Sequence, residues 1–270
     1  MSTKLPPTNP TRLPREIAPG IHWLGACSQV EYEGHVLHGS ASIFLILGAD
    51  QVLLLDTGRP GDWVVIEKAL DLTLQGRQIN WIVPTHPELP HCGNLGRLLD
   101  KYPAARAIGD MRDYHVYFPN HASRLETWPK DKPVQLGGGY RFNLLEAPIK
   151  DLTSTQWGYE SHEQVMFVSD AFQFLHHGSS SQDVDEPLHE PGECGLLSTE
   201  LSQLPQTYQA TLITRGAFSW TRYMDASEFF DQLTDLLERF PARLIAPTHG
   251  YVIMDLASIW PITREAYRPD

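Results

Sequence analysis

Histidine and carboxylate side chains concentrate in one short stretch of the chain, WIVPTHPELPHCGNLG. His86, Glu88 and His91 follow one another closely there, directly after an apolar run that predicts a β-strand. Imidazole nitrogens and carboxylate oxygens are common metal ligands, so this arrangement indicates a metal site. Pro87 and Pro90 lie between these side chains, which leaves a second interpretation open, a proline-stiffened loop that merely contains histidines.

Further candidate ligands follow other predicted strands, at the point where each apolar run ends. Asp56 follows QVLLL, Asp170 follows QVMFVS and His249 follows RLIAPT. A fourth run, NLLEAPIKD, passes through Glu146 to Asp151. Because binding groups of sheet proteins gather on loops at one edge of the strands, we expect these residues to share one site.

Six of these side chains make up the candidate metal site. They are His86, Glu88, His91, Asp151, Asp170 and His249, called the ligand set below. Three imidazoles and three carboxylates are too many for one structural zinc ion and fit two metals bridged by a carboxylate. A carboxylate-rich set without sulfur favours iron, with manganese and zinc as alternatives. Asp56 is predicted to orient a histidine, and Glu146 to lie beside the ligands.

The elements that must position these residues alternate along the chain. Helix-like segments lie between several of eight β-rich runs, and the clearest of these segments are residues 61–75, 94–102 and 227–240. Strands mixed with helices over one large core indicate the α/β class, with helices covering the sheet faces. We predict a single domain over residues 16–270, preceded by a flexible, proline-rich arm at residues 1–15.

Composition limits the class of partner. A net charge of −12 makes nucleic acid and anionic membrane surfaces poor partners. The apolar runs are too short and too interrupted to span a bilayer. The three cysteines, Cys27, Cys92 and Cys194, show no metal-like spacing, and their odd, small number favours a reducing cytoplasm over a disulfide framework. We therefore expect a cytoplasmic protein that acts on a small molecule.

The ordered motifs LLLDTG, THPELPHCGN, APIKD, FVSDAF and PTHG resemble those of the metallo-β-lactamase fold. Within that fold they look most similar to the diiron domain of flavodiiron proteins and to stand-alone oxygen-binding diiron proteins. The typical loop reads His-x-His-x-Asp-His and the flavodiiron loop His-x-Glu-x-Asp-His, so Glu88 is the discriminating residue. The resemblance covers residues 16–260 and implies a single αββα sandwich, with no flavodoxin-like FMN domain in this chain.

The resemblance also implies how the ligand set divides between two metals. The first metal would contact His86, Glu88, Asp151 and the bridging Asp170, and the second would contact His91, Asp170 and His249. Two positions depart from the family pattern. Pro90 stands where the family has an aspartate ligand, and Asp151, or alternatively Glu146, replaces a histidine. We therefore expect the second metal to lack one of its usual ligands.

Residues beyond the ligand set are predicted to line the mouth of the site. The candidates are Tyr32, His35, His38, His176 and His177, all in predicted loops. Each of them is equally compatible with a plain surface position.

Three functions are open on these observations. The favoured one is a diiron protein that binds or reduces O2 or NO with electrons from an external redox partner, because the chain has no cysteine motif or FMN domain to relay them. The second is a dinuclear hydrolase that attacks an ester or thioester with a metal-bound hydroxide. The third is a lapsed site used as a binding module. No catalytic group beyond metal-bound water or O2 is identified, and a homodimer is expected by analogy with flavodiiron proteins.

Overall fold

The computed structural model describes residues 12–32, 34–178 and 192–269. The side chains of Tyr32 and His35 lie outside the described part, so their predicted place at the site mouth stays a prediction. Most of the predicted arm, residues 1–11, also lies outside it. The boundary between arm and domain therefore stays a prediction, although the first strand already begins at Arg15.

In the described part of the chain, the first β-sheet is mixed and has seven strands. They are β1 Arg15–Ala18, β2 Ile21–Tyr32, β3 His35–Leu47, β4 Val52–Leu55, β5 Trp81–Val83, β6 Arg106–Gly109 and β7 Leu125–Thr127, in that spatial order. The pairs β1–β2, β2–β3 and β3–β4 are antiparallel, and the pairs β4–β5, β5–β6 and β6–β7 are parallel. Parallel neighbours need crossover connections. The intervening helices are α1 Trp63–Leu74, α2 Leu89–Cys92, α3 Leu95–Lys101 and α4 Tyr114–Tyr117.

The second β-sheet has five strands among the residues that the structure describes. They are β8 Val134–Gly137, β9 Tyr140–Glu146, β10 Gln156–Glu160, β11 Val165–Phe167 and β12 Leu244–Ala246. Their spatial order is β12-β11-β10-β9-β8, and only the β11–β12 pair of this described sheet is parallel. The later helices are α5 Thr207–Ala217, α6 Ser227–Arg239 and α7 Leu256–Ala266.

Consecutive residues of the central strands alternate between two cores. In β3, Ile43 and Leu45 pack with the helices on the outer face, whereas Phe44 and Ile46 pack in the layer between the sheets. This alternation follows from the two-residue period of a strand. A strand buried on both faces is continuously apolar, which explains why SIFLILG reads as an unbroken hydrophobic run.

Three apolar layers build the sandwich. Phe44 and Phe167, with ring centroids 5.3 Å apart, join the two sheets face to face. Leu70 of α1 packs on the outer face of the first sheet, and Phe230 of α6 lies in the cluster on the second sheet. The αββα layering and the α/β class predicted from the sequence are confirmed.

The predicted elements agree with the observed ones where their patterns are long. The helices predicted at residues 61–75, 94–102 and 227–240 are α1, α3 and α6, and each of the eight β-rich runs contains a strand. The prediction missed β1, β7, β8 and β10. Polar residues or glycine interrupt these short strands, which read REIA, LET, VQLG and QWGYE, so no apolar run marks them. Among the described residues, no helix is both long and apolar enough to cross a membrane.

The outer core on the first sheet can be tested with two leucines of the same helix. Leu70 is fully buried, whereas Leu72 is 56% exposed. We expect Leu70→Ala to lower the free energy of unfolding by about 2–5 kcal/mol, because it removes buried methyl groups and leaves a cavity. Leu72→Ala should change it by no more than about 0.5 kcal/mol. Urea unfolding followed by circular dichroism measures both, and equal effects would contradict this packing.

Candidate metal centre

The ends of four strands carry side chains to one edge of the sandwich. Asp56 directly follows β4, and His86 lies three residues after β5. From the second sheet, Asp170 lies three residues after β11 and His249 three residues after β12. Because β4 and β5 are parallel and β11 and β12 are parallel, each pair delivers its side chains to the same edge.

Asp170 lies at the centre of the ligand set, in contact with all three imidazoles. Its Oδ1 is 3.1 Å from Nε2 of His91 and 3.4 Å from Nε2 of His249. Its Oδ2 is 3.6 Å from Nε2 of His86. A carboxylate with each oxygen facing a different imidazole occupies the position expected of a bridging ligand.

The remaining two carboxylates approach His86. Its Nε2 is 3.7 Å from Oε2 of Glu88 and 3.7 Å from Oδ2 of Asp151. Thr155 donates a hydrogen bond of 2.8 Å to the other Asp151 oxygen, Oδ1, which leaves Oδ2 facing the site. The Asp151 side chain is 9% exposed and that of Glu88 is 52% exposed, so the ligand set opens toward solvent on the Glu88 side.

Several ligand atoms in this arrangement are buried without a hydrogen-bond partner among the described residues. They are Nε2 of His86, Nε2 of His91 and Oδ1 of Asp170. His91 and Asp170 approach to 3.1 Å, which is an ion pair when His91 is protonated and a pair of donors to a metal when it is not. Buried polar groups without partners cost free energy, and a cation among them would remove that cost. The donor set therefore fits the metal that its residue types predict.

Each histidine of the ligand set is held by its other ring nitrogen. Nδ1 of His91 lies 2.8 Å from Oδ2 of Asp56, Nδ1 of His86 lies 3.1 Å from Oγ of Ser169, and Nδ1 of His249 lies 2.5 Å from the carbonyl oxygen of Ser40. An acceptor at Nδ1 places the proton there and leaves the Nε2 lone pair directed into the site. Asp56 is thus the carboxylate behind the His91 ring.

Asp56 connects three strand ends through one carboxylate. Its Oδ1 accepts from the backbone N–H of Thr85 at 2.8 Å, and its Oδ2 accepts from the hydroxyl of Thr248 at 2.8 Å. Its backbone has φ of +56°, in the left-handed region that aspartate and asparagine tolerate better than most residues. Ser169, which contacts His86, also lies in that region with φ of +52°. Unusual backbone conformations of this kind concentrate at functional sites.

Charge coupling within the site favours an ionised carboxylate at its centre. Burial raises the pKa of Asp170, but His91, His249 and His86 outweigh burial and hold this pKa well below its usual value. Burial lowers the pKa of His91, but Asp56 and Asp170 outweigh burial and raise it. Burial lowers the pKa of His249, with Asp170 opposing the shift. A buried carboxylate held ionised by imidazoles is a typical cation-binding environment.

Sequence reasoning missed the residues that hold the ligands. Thr85, Ser169 and Thr248 each immediately precede a member of the ligand set. The signal was present as a hydroxyl side chain directly before the histidine or aspartate in THP, SDA and THG. Such a pair is common in loops, so the sequence alone does not distinguish it from an ordinary turn.

The prediction that Glu146 lies beside the ligands is wrong. Its side chain is 58% exposed, and its carboxylate pairs with Lys130 and Lys150 at the surface. Glu146 ends β9 on the solvent side, whereas the following loop turns back to bring Asp151 to His86. Two lysines within reach satisfy the Glu146 carboxylate there, so it does not approach the site.

One histidine predicted at the site mouth requires correction. His176 is buried and lies with His38 against two cysteines. His177 is exposed, and its backbone N–H donates to the Glu193 carboxylate at 2.9 Å, so its place at the mouth stays a prediction. Pro90 lies in the first turn of α2, where a missing N–H is tolerated, and it supplies no ligand atom.

The family model of the metallo-β-lactamase superfamily matches residues 37–249 of the chain. Coenzyme F420H2 oxidase from Methanocaldococcus jannaschii is 25% identical over 253 residues, which are 89% of this chain and 57% of that protein. Anaerobic nitric oxide reductase flavorubredoxin from Pectobacterium carotovorum is 22% identical over 249 residues, which are 87% of this chain and 45% of that protein. This chain thus spans about half the length of these relatives.

A solved structure has the same fold. The flavodiiron protein from Giardia intestinalis superposes with a TM-score of 0.70 and 13% sequence identity, over 93% of this chain and 59% of that one. The αββα arrangement described above therefore recurs in that protein.

The contact between Asp56 and His91 generates a prediction about metal affinity. Asp56→Asn keeps a residue that tolerates the left-handed backbone but removes the negative charge behind His91. We expect the affinity for Mn2+ or Fe2+ to fall about 10–100-fold, because the His91 ring then faces a neutral amide instead of the carboxylate that orients it. Competition with a coloured chelator measures this, with the exposed Asp131→Asn as control. Equal affinities in wild type and Asp56→Asn would refute the orienting role.

Proposed function

The chain belongs to the metallo-β-lactamase superfamily, and from that membership we propose that the ligand set holds two metal ions, with iron as the favoured metal. We further propose that the protein binds or reduces O2 or NO with electrons from an external donor. The observation that carries the proposal is the buried meeting of unpaired ligand atoms from His86, His91 and Asp170. A cation bound by these atoms would offset the cost of burying them.

The choice between redox and hydrolytic chemistry rests on the ligands and the relatives. Carboxylates and imidazoles without sulfur suit iron, and Glu88 is the residue that resembles the flavodiiron pattern. Two relatives are named an oxidase and a nitric oxide reductase, and the solved one is named a flavodiiron protein. Pro90 weighs against the hydrolase, because the aspartate it replaces orients the attacking water in hydrolases that the motif resembles.

The chain's own residues divide the work in a definite way. His86, Glu88 and Asp151 would hold one metal, His91 and His249 the other, and Asp170 would bridge them. Ferrous iron with open coordination positions would supply the binding of the diatomic molecule and the transfer of electrons to it. The half-exposed Glu88 marks the side from which a small molecule reaches the ligands. Asp56 keeps His91 oriented while the charge at the site changes.

Metal content and gas consumption test the proposal. Protein loaded with Fe2+ without oxygen should retain about two irons per chain, as a dinuclear site requires. Reduced by an artificial electron donor, it should consume O2 or NO. Zinc as the only retained metal, together with esterase or thioesterase turnover, would refute the proposal and support the hydrolase. Failure to retain any metal would support a lapsed site.

A histidine pair provides a matched test of the ligand set. His86→Ala removes a buried nitrogen that faces three carboxylates, whereas His115→Ala changes an exposed histidine outside the site. We expect His86→Ala to retain at most about one of the two irons and to lose gas consumption about 10–100-fold or more. His115→Ala should match wild type in both measurements. Full iron content in His86→Ala would remove that residue from the ligand set.

Two glutamates test the discriminating position. Glu88→Gln replaces a charged ligand by a neutral amide of the same size, and Glu146→Gln makes the same change at the lysine-paired surface carboxylate. The iron bound per chain should fall in Glu88→Gln, because the substitution removes the negative charge of the ligand while keeping its shape. It should be unchanged in Glu146→Gln. Elemental analysis after dialysis gives both values. Indistinguishable iron contents would exclude Glu88 as a ligand.

A further inference from the structure

Two cysteines and two histidines meet close to the ligand set without sharing any of its members. This thiol–imidazole cluster consists of Cys27, His38, His176 and Cys194. One ligand atom from each residue lies within 4.8 Å of all the others. Three of the four residues are buried, and His38 is half-buried.

Four sulfur-to-nitrogen distances within the cluster are close to those of a tetrahedral metal site. Sγ of Cys27 is 3.2 Å from Nε2 of His176 and 3.7 Å from Nδ1 of His38. Sγ of Cys194 is 3.3 Å from the same His176 atom and 3.5 Å from the same His38 atom. A tetrahedral zinc ion with ordinary bond lengths to sulfur and nitrogen holds such atoms about 3.6 Å apart. The four observed distances run from 3.2 to 3.7 Å, and three of them are shorter than this value.

Strand pairing sets the first half of the cluster. Cys27 of β2 pairs with Ser40 of β3, and Gln29 pairs with His38. Cys27 and His38 are therefore diagonal neighbours on one face of an antiparallel pair, because side chains two residues apart share a face. His176 joins the edge of β3 through two backbone hydrogen bonds with His38, of 2.7 and 2.9 Å.

Backbone contacts set the position of the remaining cysteine. The guanidinium of Arg12 donates to the carbonyl oxygens of Cys194 and Gly192, at 2.9 and 2.8 Å. The N–H of Glu193 donates to the carbonyl oxygen of His177 at 2.9 Å, so the chain before Cys194 lies beside the chain after His176. The four ligands thus come from distant parts of the sequence, which is why their spacing along the chain gave no metal signal.

We propose that the thiol–imidazole cluster binds one zinc ion as a closed, structural site. Two thiolates and two neutral imidazoles balance the two positive charges of zinc, so the occupied site would carry no net charge into a buried position. Sulfur ligands favour zinc, whereas the carboxylates of the ligand set favour iron or manganese. The proposal does not depend on the proposed function, because the two sites share no ligand.

The zinc site would stabilise the surroundings of His249. The carbonyl oxygen of His249 accepts from the N–H of Phe174, two residues before His176, at 3.1 Å. Its ring contacts the carbonyl oxygen of Ser40, two residues after His38. A metal that joins His38 to His176 therefore fixes both backbone segments that hold His249. Metal binding of this kind adds to the free energy of folding.

Cobalt distinguishes this site from the ligand set in the full chain. Co2+ bound by cysteine gives a sulfur-to-cobalt charge-transfer absorption, and the ligand set contains no sulfur. We expect wild type to show this absorption, to lose it on adding Zn2+, and to retain about one zinc per chain after dialysis, as one structural site requires. His86→Ala should keep the sulfur absorption, so failure of the proposed diiron centre would not imitate failure of the zinc site.

The three cysteines provide matched variants. Cys27→Ser and Cys194→Ser should lose the sulfur absorption and the zinc, whereas Cys92→Ser, at a buried cysteine outside the cluster, should keep both. Unchanged zinc content in Cys27→Ser would overturn the proposal. The absence of a sulfur absorption in the Co2+-loaded wild type would also overturn it, and this result does not depend on any variant folding. A third contrary result would be a wild-type mass lower by two hydrogen atoms that maps to a Cys27–Cys194 disulfide.

Discussion

The burial of the Asp170 carboxylate among three imidazoles is the constraint on which the functional edge of this protein depends. An isolated buried charge is too costly for a marginally stable fold, so it needs close positive or hydrogen-bonding neighbours. His86, His91 and His249 surround it, and each of them is itself held by an oxygen at its far ring nitrogen. The site therefore has two layers of polar contacts. The inner layer joins the histidines to Asp170, and the outer layer joins each histidine to the oxygen that holds it.

Those two layers require parts from both sheets. Asp56 and His86 come from the first sheet, and Asp170 and His249 come from the second. They meet only because the apolar layer between the sheets, with Phe44 against Phe167, fixes the distance between the two edges. Packing and chemistry are thus coupled, since any slip between the sheets would separate Asp170 from the histidine that Asp56 orients.

The same edge contains two donor sets of different character. Carboxylates and imidazoles make up the ligand set, and thiols and imidazoles make up the neighbouring cluster. Ligand softness favours different metals for the two sets, so the proposed reactive centre and the proposed structural zinc would occupy one domain without sharing a ligand. The two sets meet at β3, where Ser40 faces His249 and His38 faces the cysteines.

The sequence by itself determined most of the strands, three of the helices, the αββα fold and the residue types at the strand ends. These are local properties, because an apolar run followed by a ligand is visible in consecutive letters. The tertiary structure decided which side chains meet. It placed Glu146 with two lysines and Asp151 with His86, and it brought Cys27 beside Cys194. Such contacts depend on loop paths and on packing between sheets, which no local pattern encodes, so spacing along the chain cannot reveal them.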